Sequence, residues 1–333
     1  MEIILLVIGS LVFVNLGAFV LRKMRLPIVL GFILSGMLLS LPVLKDLFPE
    51  SSMGLFGVLG AIGLGMLMFI AGLEISWYML LKEKKESLIV ALFGLAVPFL
   101  LGLIVMLLIG FSLNIALIVA VCMSITAEAT TAEVLLDMGK IKTRIGTMIM
   151  GAGIIDDVVG MMGFAVFGYF IMHRVDFAEF VPLLIVLGSF LAGMLAHRYI
   201  GRKTRAVKFF EKWAGLLIVP FFFVEMGMHF SFSAVFANPL LLLVIVVVAM
   251  FGKILGVVLS RTFVRMNKLQ SYVVGLAMNS RGAVELALAY TAYKAGLLSI
   301  DLYSAIIVMA FVTTFIFPIV FGRIIRKNKD VMV

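Results

Sequence analysis

The chain is built from long, nearly uninterrupted apolar stretches of about twenty residues, the length at which a helix crosses the hydrocarbon core of a bilayer. Backbone groups inside a bilayer find no water, so spanning segments must be helices or closed barrels. With 64% apolar and 14% charged residues and a mean hydropathy of +1.24, the composition lies far from soluble proteins, at roughly half apolar and a quarter charged. The sequence therefore predicts an all-α polytopic membrane protein, a single integral membrane domain over 1–333. About eleven transmembrane helices are expected, near 2–21, 27–42, 54–81, 88–110, 114–137, 143–172, 178–197, 211–230, 237–260, 270–295 and 301–323. Met1 and Glu2 lead directly into the first without a basic segment or small-residue cleavage site, which reads as a retained helix.

Basic residues set the expected orientation. Of 27 Lys and Arg, 22 fall in the odd-numbered loops and the C-terminal tail, including Arg198, Arg202, Lys203, Arg205, Lys208 and Lys212 in the richest loop. Lys45, Arg174 and Lys294 lie on the opposite side. Cytoplasmic loops carry the positive excess, so the N-terminus is expected outside and the C-terminus inside. The net charge of +9 follows from this bias and from anionic lipid on that face, with no nucleic-acid signal. Cys122 is the only cysteine, which excludes a disulfide framework and a thiolate metal site. There is no phosphate-cradling loop, nucleophile elbow or metal-ligand cluster, so neither an enzyme nor a cofactor is expected.

Two basic residues remain, Lys253 and Arg281, both deep in apolar spans, and they direct attention to the acids at similar depth. Asp156 and Asp157 stand together in the middle of the sixth span. One carboxylate at mid-membrane costs roughly 2.5–3.5 kcal/mol on insertion scales, so two adjacent ones call for a wet cavity and a cationic partner. Helix neighbours point about 100° apart, so the pair cannot face one partner together. One can meet Lys253 while the other faces a cavity. The competing reading is a buried salt bridge that only locks two helices; two acids to one base leave negative charge for a bound cation or proton.

Polar interruptions at Ser124–Glu133 in span five and Asn279–Glu285 in span ten resemble the broken helices of transporters. Five spans separate them, so their orientations are opposite. Spans two to six, residues 27–172, and seven to eleven, residues 178–323, then form two inverted five-helix repeats with the first helix as an extra. Glu128, Glu133 and Glu285 are too expensive at that depth to serve only as packing groups. Arg281 is expected to hold a fixed charge against Glu128, Glu133 or Glu285. His173, His197 and His229 lie near span ends, where interfacial histidines are common. Gly60, Gly63 and Gly65 permit close helix approach, at a dimer face or internally.

Read in order, several blocks resemble the monovalent cation:proton antiporters of the sodium/proton exchanger superfamily. They are Arg25–Gly31 followed by Gly36, Phe69–Glu74, Gly188–Gly193, Pro220–Gly227, Gly252–Gly256 and Asn279–Leu286. The resemblance implies that Asp156 and Asp157 are the paired aspartates of the electrogenic branch, the second being the main ion carrier, and that Lys253 pairs with the first. It also implies two broken helices crossing near the ion site, elevator-like movement and a homodimer. The interval between Asp157 and Lys253 is short for this family by two helices. Glu128, Glu133 and Glu225 depart from its usual residues.

The expected activity is exchange of Na+ or Li+ for H+ in the plasma membrane of a prokaryotic cell, by alternating access. Asp156, Asp157, Thr126 and Thr130 are the candidate cation and proton ligands and Lys253 the charge partner. A K+/H+ exchanger of the same build remains open, as does a Na+-coupled organic-anion symporter of related inverted fold, which has no need of a buried lysine beside an aspartate pair.

Overall fold

A computed structural model describes residues 2–24, 26–74, 85–172, 177–200 and 205–332. Parts of the loops on which the orientation rests, and His173, lie outside the described residues, and the helix count, repeats and orientation remain expectations. Every described element is helical. The helices are α1 (Glu2–Lys23), α2 (Ile28–Leu39), α3 (Pro42–Lys45), α4 (Glu50–Glu74), α5 (Lys85–Ile109), α6 (Leu113–Ser124), α7 (Glu128–Asp137) and α8 (Arg144–Met172). They continue with α9 (Phe177–Ile200), α10 (Arg205–Leu217), α11 (Pro220–Met228), α12 (Phe232–Ala237), α13 (Pro239–Ser260), α14 (Lys268–Ala277), α15 (Ala283–Lys294) and α16 (Ile300–Lys327). Among the described residues, six helices are long and apolar enough to cross a membrane. The chain divides into two compact units, Met1–Trp77 with Val175–Ala237 and Tyr78–Arg174 with Asn238–Val333.

In the first unit small residues bring helix axes together. Lipid is as apolar as leucine, so helix pairs in a bilayer gain from close packing rather than from escape from water. Gly72 and Gly193 join α4 to α9: a Cβ on Gly72 would press on the Phe190 carbonyl, and one on Gly193 on the Phe69 carbonyl. Gly36 and Gly227 abut in the same way between α2 and α11. Gly60 and Gly63 face Glu225 and Phe222 of α11, while Gly65 lies near Ile185 and Ser189 of α9, so this stripe makes internal contacts. Glu225, the acid in an otherwise apolar block, is buried over Gly60 with its carboxylate 3.6 Å from Nδ1 of His229. His197 Nδ1 lies 2.6 Å from the Leu73 carbonyl, which can only accept, so that nitrogen carries the proton.

The span expected at 211–230 is interrupted. Pro220 has no N–H to donate to the carbonyl four residues back, Leu216. The chain turns at Ile218 and Val219, and Asn15 of α1 donates from Nδ2 to the freed Leu216 oxygen at 2.9 Å. The segment thus becomes an amphipathic α10 and a short, wholly buried α11.

The second unit packs α5, α7, α8, α13, α14 and α16 around a core that includes Met148, Ile155, Val257, Leu276, Phe317 and Phe321. Gly252 and Gly256 seat α13 on α5: a Cβ at Gly252 would lie 2.9 Å from Cα of Pro98, and one at Gly256 would overlap the Phe93 carbonyl. Lys253, between them, is fully buried.

The glycine seams give a direct prediction. Gly193→Val should destabilise the protein by about 1–3 kcal/mol or more through overpacking, read as a lower thermal midpoint in detergent. Gly188→Ala, on the same helix but with open space around its Cβ, should melt like the parent.

Candidate ion site

Two chain breaks cross in the second unit. Between α6 and α7, Ile125 and Ala127 are extended, with φ −71°, ψ 148° and φ −99°, ψ 102°. Between α14 and α15 the chain is open from Met278 to Gly282. The crossing is tied by the Ala127 N–H donating to the Ser280 carbonyl (2.8 Å) and the Ser280 hydroxyl donating to the Ala127 carbonyl (2.8 Å). Thr131 Oγ1 donates to the Ala277 carbonyl at 2.9 Å and lies 2.5 Å from the Ser280 hydroxyl. Gly282 must lack a side chain here, because a Cβ would lie 2.6 Å from that of Ala127. Thr314 of α16 accepts from the Arg281 N–H at 2.7 Å.

Breaking a helix leaves its last carbonyls without N–H partners and concentrates partial negative charge there. At the end of α6 two cations answer this. Arg281 donates to the carbonyls of Cys122 (3.0 Å), Met123 (2.5 Å) and Ile125, and Lys253 Nζ donates to the Ser124 carbonyl at 2.5 Å. The opposite ends carry acids: Glu128 lies in the first turn of α7 and Glu285 in the first turn of α15. Glu285 Oε2 stands 3.7 Å from Arg281 Nη1, and both side chains are buried. Arg281, expected to answer a glutamate, thus spends its hydrogen bonds on backbone carbonyls, with Glu285 beside it as a charge partner.

The same ammonium reaches a second acceptor. Lys253 Nζ lies 2.6 Å from Oδ2 of Asp156, with both side chains excluded from solvent. Thr126 Oγ1 is in hydrogen-bond contact with the same carboxylate oxygen and lies 3.1 Å from the Met278 carbonyl, so it also spans the crossing. Asp156 Oδ1 is buried and has no hydrogen-bond partner among the described residues. Asp157, the next residue on α8, is half-buried.

Helix α8 meets α7 through another glycine. A Cβ at Gly153 would lie 3.0 Å from Cγ of Glu128, and one at Gly160 would lie 3.0 Å from Cγ1 of Ile125. Gly153 is one turn before Asp156 and Asp157, so the stem of Glu128 lies against the helix that carries the aspartates. Glu128 and Glu133 are half-buried. Thr130 is buried on α7, and among the described residues no hydrogen bond joins it to Asp156; its neighbour Thr131 makes the crossing bonds. Asn279, not singled out as a ligand from sequence, is buried at the second break with Oδ1 unpartnered among the described residues. The arrangement offers carboxylate, hydroxyl, amide and carbonyl oxygens near two fixed cations, the chemistry of a site that takes a hard monovalent cation or a proton.

A sequence model for the family described as "Sodium/hydrogen exchanger, transmembrane" matches residues 8–185 and 176–327. The chain belongs to this family. Sodium/hydrogen exchanger relatives include the Na(+)/H(+)-K(+) antiporter GerN of Bacillus cereus, 28% identical over 88% of each chain. Another is the Na(+)/H(+) antiporter of Enterococcus hirae, 24% identical over 98% of this chain and 99% of its own. The fold is similar to that of the sodium proton antiporter MjNhaP1 from Methanocaldococcus jannaschii, with a TM-score of 0.64 over 98% of each chain at 16% identity. The protein is a multi-pass protein of the cell membrane, as its apolar helices require. The match to the Enterococcus relative runs over 383 positions against 333 residues in this chain, so that relative carries segments absent here. The two stretches matched to the family meet at residues 176–185, inside the interval where the sequence places a missing helix pair.

A buried ion pair predicts a signature in stability. Asp156→Asn or Lys253→Met alone should each lose about 3–5 kcal/mol, because each leaves a buried group without its partner. The double variant should recover more than half of that loss in the denaturation midpoint. Additive losses would show that the two groups do not depend on each other.

Proposed function

We propose that this protein exchanges Na+ or Li+ for H+ across the membrane, with Asp156 and Asp157 as the shared cation and proton site. The observation that carries the reading is the Asp156–Lys253 pair at the crossing, with Thr126 on the same carboxylate and one Asp156 oxygen left over. Protons and cations compete for the same carboxyl oxygens. If only the loaded or protonated site passes between the two sides, competition alone couples the two flows in opposite directions. Lys253 holds Asp156 while the site is without a cation; a cation arriving at Asp157 and Asp156 draws the carboxylate from the ammonium. Thr126 and Thr130 hydroxyls and the carbonyls at the breaks complete the oxygen set. Arg281, which does not deprotonate, keeps the crossing assembled through the cycle.

The two breaks on spans five apart support an inverted five-helix repeat over residues 27–172 and 178–323, with the N-terminus outside and the C-terminus inside. Alternating access of the elevator type, in a homodimer, fits a chain in which the ion site lies wholly on one compact unit. Exchange of K+ for H+ by the same oxygen set is the second reading; the carboxylate of Glu128, whose stem lies against the aspartate-bearing helix, adds negative field that suits any monovalent cation. The Bacillus cereus relative is a Na(+)/H(+)-K(+) antiporter by name, which keeps both ions in view. Glu133 adds to that negative field. The symporter reading is disfavoured because it gives Lys253 no role.

Reconstituted in liposomes with an internal pH dye, the wild type should show pH change driven by Na+, Li+ or K+, and the most effective ion names the substrate. Asp157→Asn should abolish that change while the protein remains folded. Proton flux absent with every cation would overturn antiport and favour the symporter.

A further inference from the structure

Helix α10 is not used by the ion site, and its surface has a composition that neither protein packing nor solvation explains. Val207 and Ala214 are buried and form the protein-facing side, while Phe210, 39% exposed, sits at its edge with its ring 6.0 Å from that of Phe69 of α4. Phe209, Trp213 and Leu216, spaced i, i+4, i+7, form an exposed apolar stripe; Phe209 is 65% exposed and Trp213 41%. Arg205, Lys208 and Lys212, spaced i, i+3, i+7, form an exposed basic stripe alongside it. The helix's one acid, Glu211, is only half-exposed, so the stripe presents positive charge. Arg198, Arg202 and Lys203 precede it in the chain. Ordinary lipid-tail contact would account for the aromatics but not for the cations beside them. A solvated face would account for the cations but leave Phe209 and Trp213 in water.

We propose that the exposed face of α10, where the span expected at 211–230 enters the bilayer, docks the anionic phospholipid headgroups of the protein's own bilayer, with Arg205, Lys208 and Lys212 on the phosphates and Phe209, Trp213 and Leu216 in the upper acyl region. An amphipathic helix with a basic face and aromatic anchors partitions to the headgroup boundary, gaining from both the buried apolar area and the negative surface potential. The turn at Ile218–Val219, set by Pro220 and secured by Asn15, lets α10 lie at its own angle to α11, so its stripes can stay at headgroup depth while the span continues through α11. The occupant is lipid rather than a soluble protein because the basic and aromatic stripes run side by side on a helix that belongs to a membrane protein. This docking surface is independent of the transport reading.

The test uses the two tryptophans, Trp77 and Trp213. Full-length Trp77→Phe protein is reconstituted in phosphatidylcholine vesicles containing an equal fraction of either brominated phosphatidylglycerol or brominated phosphatidylcholine, and Trp213 quenching is compared. Relative association should favour phosphatidylglycerol at least threefold, and R205Q/K208Q/K212Q in the same background should bring the ratio to about one. Should Trp77→Phe not fold, subtracting the emission of Trp213→Phe from that of the wild type isolates the same signal. Equal quenching by both lipids, a preference that survives removal of the three charges, or no quenching by either lipid would each overturn the proposal, the last by showing that another chain covers the helix.

Discussion

Four carbonyls at the end of α6, those of Cys122, Met123, Ser124 and Ile125, lose their helical N–H partners in the buried crossing, and the second unit is organised around supplying them with donors. Two cations on two other helices meet them. Arg281 comes from the opposing break and Lys253 from α13, so the same contacts that stabilise the end of α6 also fix how α6, α13 and the second break meet. Cations there are expensive unless their charge is answered. Asp156 answers Lys253, and Glu285 lies beside Arg281. The candidate ion site is therefore continuous with the device that makes a broken helix tolerable in a membrane, and a change in Asp156 is felt at the helix end through one shared ammonium.

Glycine supplies the geometry. Lys253 reaches Asp156 because Gly252 and Gly256 let α13 lie directly on α5; Glu128 reaches α8 because Gly153 has no side chain; the breaks cross because Gly282 leaves room for Ala127. The first unit uses the same device at Gly72 with Gly193 and Gly36 with Gly227. Position in this fold is set less by the bulk of apolar side chains than by where side chains are absent.

Much of this was legible in the sequence, for physical reasons that also mark where legibility stopped. Apolar length revealed the helices, and the clusters Ser124–Glu133 and Asn279–Glu285 revealed the breaks, since polar groups at that depth have no bland explanation. Helical angles alone left open which aspartate would meet Lys253; resemblance pointed to the first, and the ammonium lies on Asp156. The pairing of Arg281 with a glutamate was legible, and Glu285 is that partner, but its hydrogen bonds to the carbonyls of α6 were not, because backbone carbonyls leave no mark in the residue string. Thr131 and Ser280 were passed over for the same reason. The interruption within the span at 211–230 was not read from the sequence because a twenty-residue window averages an amphipathic helix with the apolar one that follows; Pro220, four residues after Leu216, was the signal that could have shown it.

The central claim is that cation and proton share one set of oxygens at the crossing. Calorimetric titration of Na+, Li+ or K+ into the purified protein, in buffers of differing protonation enthalpy, counts the protons released as the ion binds. The account predicts release of at least one proton per ion over the pH range in which binding weakens on acidification, and loss of that linkage in Asp157→Asn. Cation binding that releases no proton and does not change with pH would contradict it.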